Sequence, residues 1–193
     1  MVEPAGSDVF PPDRVEATAD HSLASMIDRS YLASQNWQAQ QARPNRVGAH
    51  PDIVEFSRCY IKGAAKLGIP LYPHNMVRTV DQQRQLYLDG FSKNNGSKPY
   101  PHRAFAVDVV HSTRHWGLTE AQWLLLVHLG NEVAKAKGIA VVNGSTFASL
   151  WDPAHWELLQ WRHWYPLALP NGFADVSMSA WVKPYRENAP RRG

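Results

Sequence analysis

Trp151-Asp152-Pro153-Ala154-His155-Trp156-Glu157-Leu158 packs one imidazole and two carboxylates between tryptophans. It lies within an expected strand from Leu150 to Leu159. A second cluster stands upstream, Pro101-His102-Arg103-Ala104-Phe105-Ala106-Val107-Asp108. Together the two stretches offer two histidines and at least one carboxylate. That is the ligand set of a catalytic zinc site with one position left open for water.

Asp108 sits between Val107 and Val109 in a strand-like run from Phe105 to Val110. A bare carboxylate there is costly unless it is paired or binds a cation. His155 is framed by Trp151 and Trp156, which would keep a site dry. Each of the three, taken alone, reads equally as a structural residue; the trio His102, Asp108 and His155 reads as a metal site. Asp152, three residues before His155, is placed to act as a general base or to cap a turn before Pro153. Arg78 follows a short strand and precedes a helix. It is either a surface arginine or a donor to an oxyanion. His111 and His115 lie close enough in sequence to be substitute ligands.

The rest of the chain supplies a scaffold. Ile53, Phe56, Tyr60, Ala64 and Leu67 recur at helical steps, with Asp52 as expected N-cap and Gly68 as stop. Ile69 to Val77 reads as a short strand, Val80 to Leu88 as a helix and Ser92 to Pro99 as a polar loop. Thr119-Glu120-Ala121-Gln122 is a capping-box pattern opening a long apolar helix that ends at Gly138. Ile139 to Val142 reads as a buried strand and Asn143 to Ser149 as a loop. Helices alternating with short strands predict an α+β domain with a small antiparallel sheet. Ser22 to Gln40 has only a weak helical pattern. Residues 1–50 are therefore read as an N-terminal extension that wraps the domain or docks on a partner, 51–165 as the folded domain and 166–193 as an irregular tail.

Composition narrows the function. The chain has 193 residues, 44% hydrophobic, eight of them tryptophan, enough to bury a core. The net charge of +3 is mild and lies partly in Arg186, Arg191 and Arg192 at the tail. No clustered basic face or nucleic-acid motif appears, so no nucleic-acid partner is expected. Cys59 is the single cysteine, in an apolar helical setting, so neither an internal disulfide nor a thiolate zinc site is available. The acid- and proline-bearing start is not a signal peptide, and no segment is expected to enter a membrane.

The order Arg78-Thr79, Gln82, Leu86-Tyr87, then His102 and Asp108, then Asp152-Pro153-Ala154-His155-Trp156-Glu157 resembles the zinc D-Ala-D-Ala carboxypeptidase and L-Ala-D-Glu endopeptidase family. Many phage endolysins belong to it, and it shares the hedgehog/DD-peptidase fold. The resemblance covers about residues 52–160. It implies that His102, Asp108 and His155 bind Zn2+, that Asp152 is the catalytic base and that Arg78 holds the substrate carbonyl. Glu157 would stand behind a ligand and orient it. The implied protein is a zinc metallopeptidase cutting peptidoglycan stem peptides, as a phage endolysin or a virion-associated enzyme. It would act at the periplasm or cell wall after release from the host cytoplasm. Its termini would meet virion proteins. The alternative is a non-enzymatic virion or cell-wall-binding module on the same fold with a degraded metal site. Two departures motivate that alternative. Tyr100 stands where the family has serine. His102 and Asp108 are six apart, one fewer than the family spacing, with no glycine between them. On a straight strand that offset spans about 20 Å, so convergence requires a turn between Arg103 and Ala106.

Overall fold

The computed structural model describes residues 22–164. The tail expected over 166–193, and residues 1–21 of the expected extension, lie outside the described residues. In chain order the elements are a 3₁₀ turn Ala24–Met26, α1 Arg29–Leu32, α2 Gln35–Ala42, α3 Pro51–Lys66, β1 Leu71–Asn75, α4 Val80–Leu88, a 3₁₀ turn Pro101–Arg103, β2 Ala106–His111, α5 Glu120–Lys137, β3 Val141–Gly144, β4 Asp152–Leu158 and α6 Trp161–Trp164.

The strands form one open antiparallel sheet in the order β1-β2-β4-β3. The expected α+β class with a small antiparallel sheet is what the chain adopts. The two central strands are β2 and β4, and they carry Asp108 and His155 directly opposite each other.

One face of the sheet is closed by α3 and α5. Trp156, fully buried, meets Phe56 at 4.9 Å and Tyr60 at 5.5 Å between ring centroids. The Tyr60 hydroxyl donates to the Leu126 carbonyl across the helix pair at 3.0 Å. Burying each such ring stabilises the fold by about 1.5–3 kcal/mol. Trp156 reaches α5 over Gly130, where an added Cβ would overlap its Cη2 and Cζ2 atoms.

The helix starts follow local chemistry. Thr79 with Gln82, and Thr119 with Gln122, form complete reciprocal capping boxes. At α3 the cap stands two residues before the expected one. His50 is the N-cap, its Nδ1 accepting from the Asp52 backbone N–H at 3.1 Å, and Pro51 opens the helix. Asp52 instead adds its charge to the first turn, where the helix dipole favours it.

The described part of the N-terminal segment packs on the sheet. Trp37 Nε1 and Gln41 Nε2 both donate to the Leu71 carbonyl at 3.0 Å. Gln40 Nε2 reaches the Ser112 carbonyl at 2.9 Å. Trp37 and Gln41 thereby satisfy the Leu71 carbonyl on the outer edge of β1, which would otherwise be unpaired. Met26 is buried in the core.

Candidate metal centre

His102 comes from the 3₁₀ turn just before β2, Asp108 from the middle of β2 and His155 from β4. The turn answers the spacing problem. Phe105 N–H donates to the Pro101 carbonyl at 2.8 Å and Ala104 N–H to the same oxygen at 3.3 Å. The chain folds back before it enters the strand, and no glycine is needed. His102 Nε2 then lies 3.0 Å from Asp108 Oδ1, His155 Nδ1 lies 3.0 Å from the same oxygen, and the two ring nitrogens are 3.2 Å apart.

This triangle suits a metal ion. Four tetrahedral donors at about 2.0–2.1 Å from a cation stand about 3.3 Å from one another. All three residues are buried. Each ring also has its rear nitrogen engaged. His102 Nδ1 is 2.9 Å from the Met76 carbonyl, which receives the Nδ1 proton and leaves Nε2 facing the centre. His155 Nε2 is 3.1 Å from Glu157 Oε2, leaving Nδ1 facing the centre. Glu157 is fixed in turn by Trp161 Nε1, which donates to Oε1 at 2.8 Å. Such partners set ring orientation and raise ligand basicity.

Without a cation the three groups share charge among themselves. Burial works against the Asp108 carboxylate, yet His102 and the Arg78 guanidinium hold its pKa well below the ordinary range. Burial, then the charge of Arg78, push His102 down to about 4. Burial also works against the charged form of His155, but hydrogen bonds to Asp108 and Glu157, with the charge of Asp152, raise it to about 10. At neutral pH one ring is therefore cationic and the other neutral.

Arg78 donates through Nη2 to Asp108 Oδ2 at 2.7 Å. Its backbone N–H donates to the His102 carbonyl at 2.8 Å, and Tyr100 Oη donates to the Arg78 carbonyl at 3.3 Å. The tyrosine that departs from the family pattern thus ties the arginine to the ligand turn. Arg78 Nε is buried and has no hydrogen-bond partner in the fold. Asp152 is half-buried. Burial, then the charge of Asp108, push it up to about 6.

The two substitute ligands lie elsewhere. His111 Nε2 meets the Met26 carbonyl at 3.0 Å, and His115 Nδ1 meets the Tyr72 hydroxyl at 3.0 Å. Sequence reasoning missed Asn143, Tyr100, Trp161 and the Met76 carbonyl as parts of the site. Asn143 sits in β3, where a loop was expected. An Asn-Gly pair at the end of an apolar run was the available signal.

No protein-family model matches the chain, and no curated protein matches it. Among solved structures the chain is similar to the L-Ala D-Glu endopeptidase ChiX of Serratia marcescens, with a TM-score of 0.50 and 21% identity, covering 67% of this chain and 90% of that one. The likeness concerns the fold. The chain has a DD-peptidase-like fold: a small open antiparallel sheet of four strands packed with helices, with a buried His-Asp-His group at its centre.

Proposed function

We propose that the chain is a zinc metallopeptidase that hydrolyses a peptide bond in peptidoglycan stem peptides. The observation that carries this reading is the convergence of His102, Asp108 and His155 on one point. The donor set of imidazoles and a carboxylate, without thiolate, suits Zn2+. Zinc held there would polarise the scissile carbonyl and lower the pKa of a water toward ~7.

The chain's own residues do the remainder. Asp152 takes a proton from the attacking water and passes it to the leaving amine. Its pKa of about 6 suits a base that works near neutral pH. Arg78 lies against Asp108, beside the ligand triangle, and would hold the carbonyl oxygen as negative charge develops. Glu157 keeps the His155 ring turned toward the centre. Stem peptides as substrate draw support from the fold shared with a cell-wall endopeptidase. A phage endolysin or virion-associated enzyme acting at the cell wall is the setting we propose. Among the described residues no helix is long and apolar enough to cross a membrane. The shortened spacing of His102 and Asp108, which argues for a degraded site, is spanned by the 3₁₀ turn Pro101–Arg103.

The test is direct. Purified protein is equilibrated with zinc and incubated with isolated cell wall and with synthetic stem peptides, one set presenting the L-Ala-D-Glu bond and one the D-Ala-D-Ala terminus. One zinc per chain and new amino groups from one set are expected, with both lost in His155→Ala. Folded protein that takes up no zinc, or that releases no amine from any substrate, would overturn the proposal.

A further inference from the structure

Asp152 and His155 are three residues apart on one strand. Side chains three apart on a regular strand point to opposite faces. Yet the Asp152 carboxylate feels the charges of Asp108, His155 and Arg78. The strand must therefore be irregular between them, and the pairing with β3 shows where. Asn143 opposes Trp156, but the next residue, Gly144, opposes Asp152. One step along β3 matches four along β4 (156 − 152), so Pro153, Ala154 and His155 bulge without a partner in register on that side.

A bulge of that size leaves backbone groups to satisfy. One side chain does it. Asn143 Nδ2 donates to the Pro153 carbonyl at 3.0 Å and to the His155 carbonyl at 2.9 Å. Its Oδ1 accepts from the Ser145 backbone N–H at 2.9 Å. Asn143 is 3% exposed, so these are its partners in place of water. Both amide protons are used, and only an amide of this length offers two donors and one acceptor. Aspartate has no donor, and serine has one. Beside it, Gly144 leaves room for the strand, since an added Cβ would overlap the Asp152 carbonyl oxygen.

We propose that Asn143 is a positioning residue that holds the β4 bulge and so sets the Asp152 carboxylate on the same side of the sheet as the ligand atoms. It acts through the carbonyls of Pro153 and His155 and touches no reacting atom. The functional half of this inference rests on the reading of Asp152 as general base; the structural half does not.

The test compares the wild-type protein with Asn143→Ala and Asn143→Ser by two readouts. The first is NMR hydrogen exchange at the His155 backbone amide in metal-free protein. In Asn143→Ala, exchange at His155 is expected to speed on the order of tenfold or more, while the amides of β1 and β2 keep their protection. The second is steady-state cleavage of the stem peptide with zinc present. There kcat is expected to fall on the order of tenfold or more, with KM held within about twofold. Asn143→Ser, with one donor restored, should fall between the two in both readouts, and it carries the test alone if the alanine variant does not fold. Unchanged exchange and unchanged kcat would overturn the proposal. So would protection lost evenly across the sheet, which would make Asn143 a general stabiliser. If wild-type protein cleaves no stem peptide, the hydrolase reading falls, and exchange at His155 still decides whether Asn143 holds the bulge.

Discussion

Glu157 and His155, two residues apart on β4, meet side by side, with Oε2 of the carboxylate 3.1 Å from Nε2 of the ring. The other carboxylate oxygen receives Trp161 Nε1–H at 2.8 Å. Two donors thus converge on one group, and only a carboxylate has an acceptor for each. In Glu157→Gln the amide can accept from one donor but turns an N–H toward the other. Metal affinity is expected to drop about 10- to 100-fold, with the fold retained. Titration against a chelator of known affinity reads this directly. Unchanged affinity would show that the ring needs no support from behind.

His155 also predicts how the protein takes up metal. In the metal-free protein its pKa is about 10, because hydrogen bonds to Asp108 and Glu157 outweigh burial. The ring is therefore cationic at pH 7, and its contribution to stability is present below the ordinary histidine value and lost as pH rises through about 10. A ligand imidazole must be neutral at the coordinating nitrogen. Zinc uptake at pH 7 should therefore release about one proton, and affinity should rise with pH. Calorimetry in buffers of different ionisation enthalpy measures that proton. Uptake with no release would contradict the charge state given to His155.

Asp152 predicts a trade between activity and stability. Burial and the neighbouring Asp108 raise its pKa to about 6, so the folded chain holds this proton more tightly than the unfolded chain does. The sign follows: Asp152 favours folding most at low pH and costs stability as pH climbs through about 6. A base must be deprotonated, so kcat/KM should rise over the same interval. Asp152→Asn should lower kcat by about 10²–10⁴-fold and leave the thermal midpoint at pH 8 equal to or above that of the wild type. A variant that lost stability at pH 8 would argue against a strained carboxylate at this position.

Gly130 predicts a packing cost remote from the ligands. Trp156 is wedged between Phe56, Tyr60 and the backbone of α5, with no space for a methyl group at Gly130. Gly130→Ala gains helix propensity but must displace the indole, for a net loss of about 1–3 kcal/mol. Because His155 adjoins Trp156 on β4, metal affinity should weaken as well. Denaturant unfolding checks the first and chelator competition the second.

What could be read in the sequence was what local pattern determines. The periodic apolar steps from Ile53 to Ala64 became α3, and the capping box read at Thr119 formed; the one at Thr79 was not read as a cap. His102, Asp108 and His155 were found as a set because the residue types announce their chemistry. What escaped depends on pairing between distant segments. The weak pattern from Ser22 to Gln40 broke into short helices that gain their order from the edge of β1, a partner invisible from within the segment. The six-residue spacing looked like an obstacle because the 3₁₀ turn at Pro101 relies on contacts to Met76 and Arg78. The bulge opposite Asn143 is a matter of register between β3 and β4, which neither strand encodes alone.

The turn that presents His102 is anchored from behind by the Met76 and Arg78 backbone, and its partners Asp108 and His155 are neighbours in a hydrogen-bonded ladder. The three donors are therefore aimed by backbone contacts made outside their own triangle. A change at either anchor would swing a side chain that it never touches, so the precision of the centre is stored in main chain rather than in the residues that meet there.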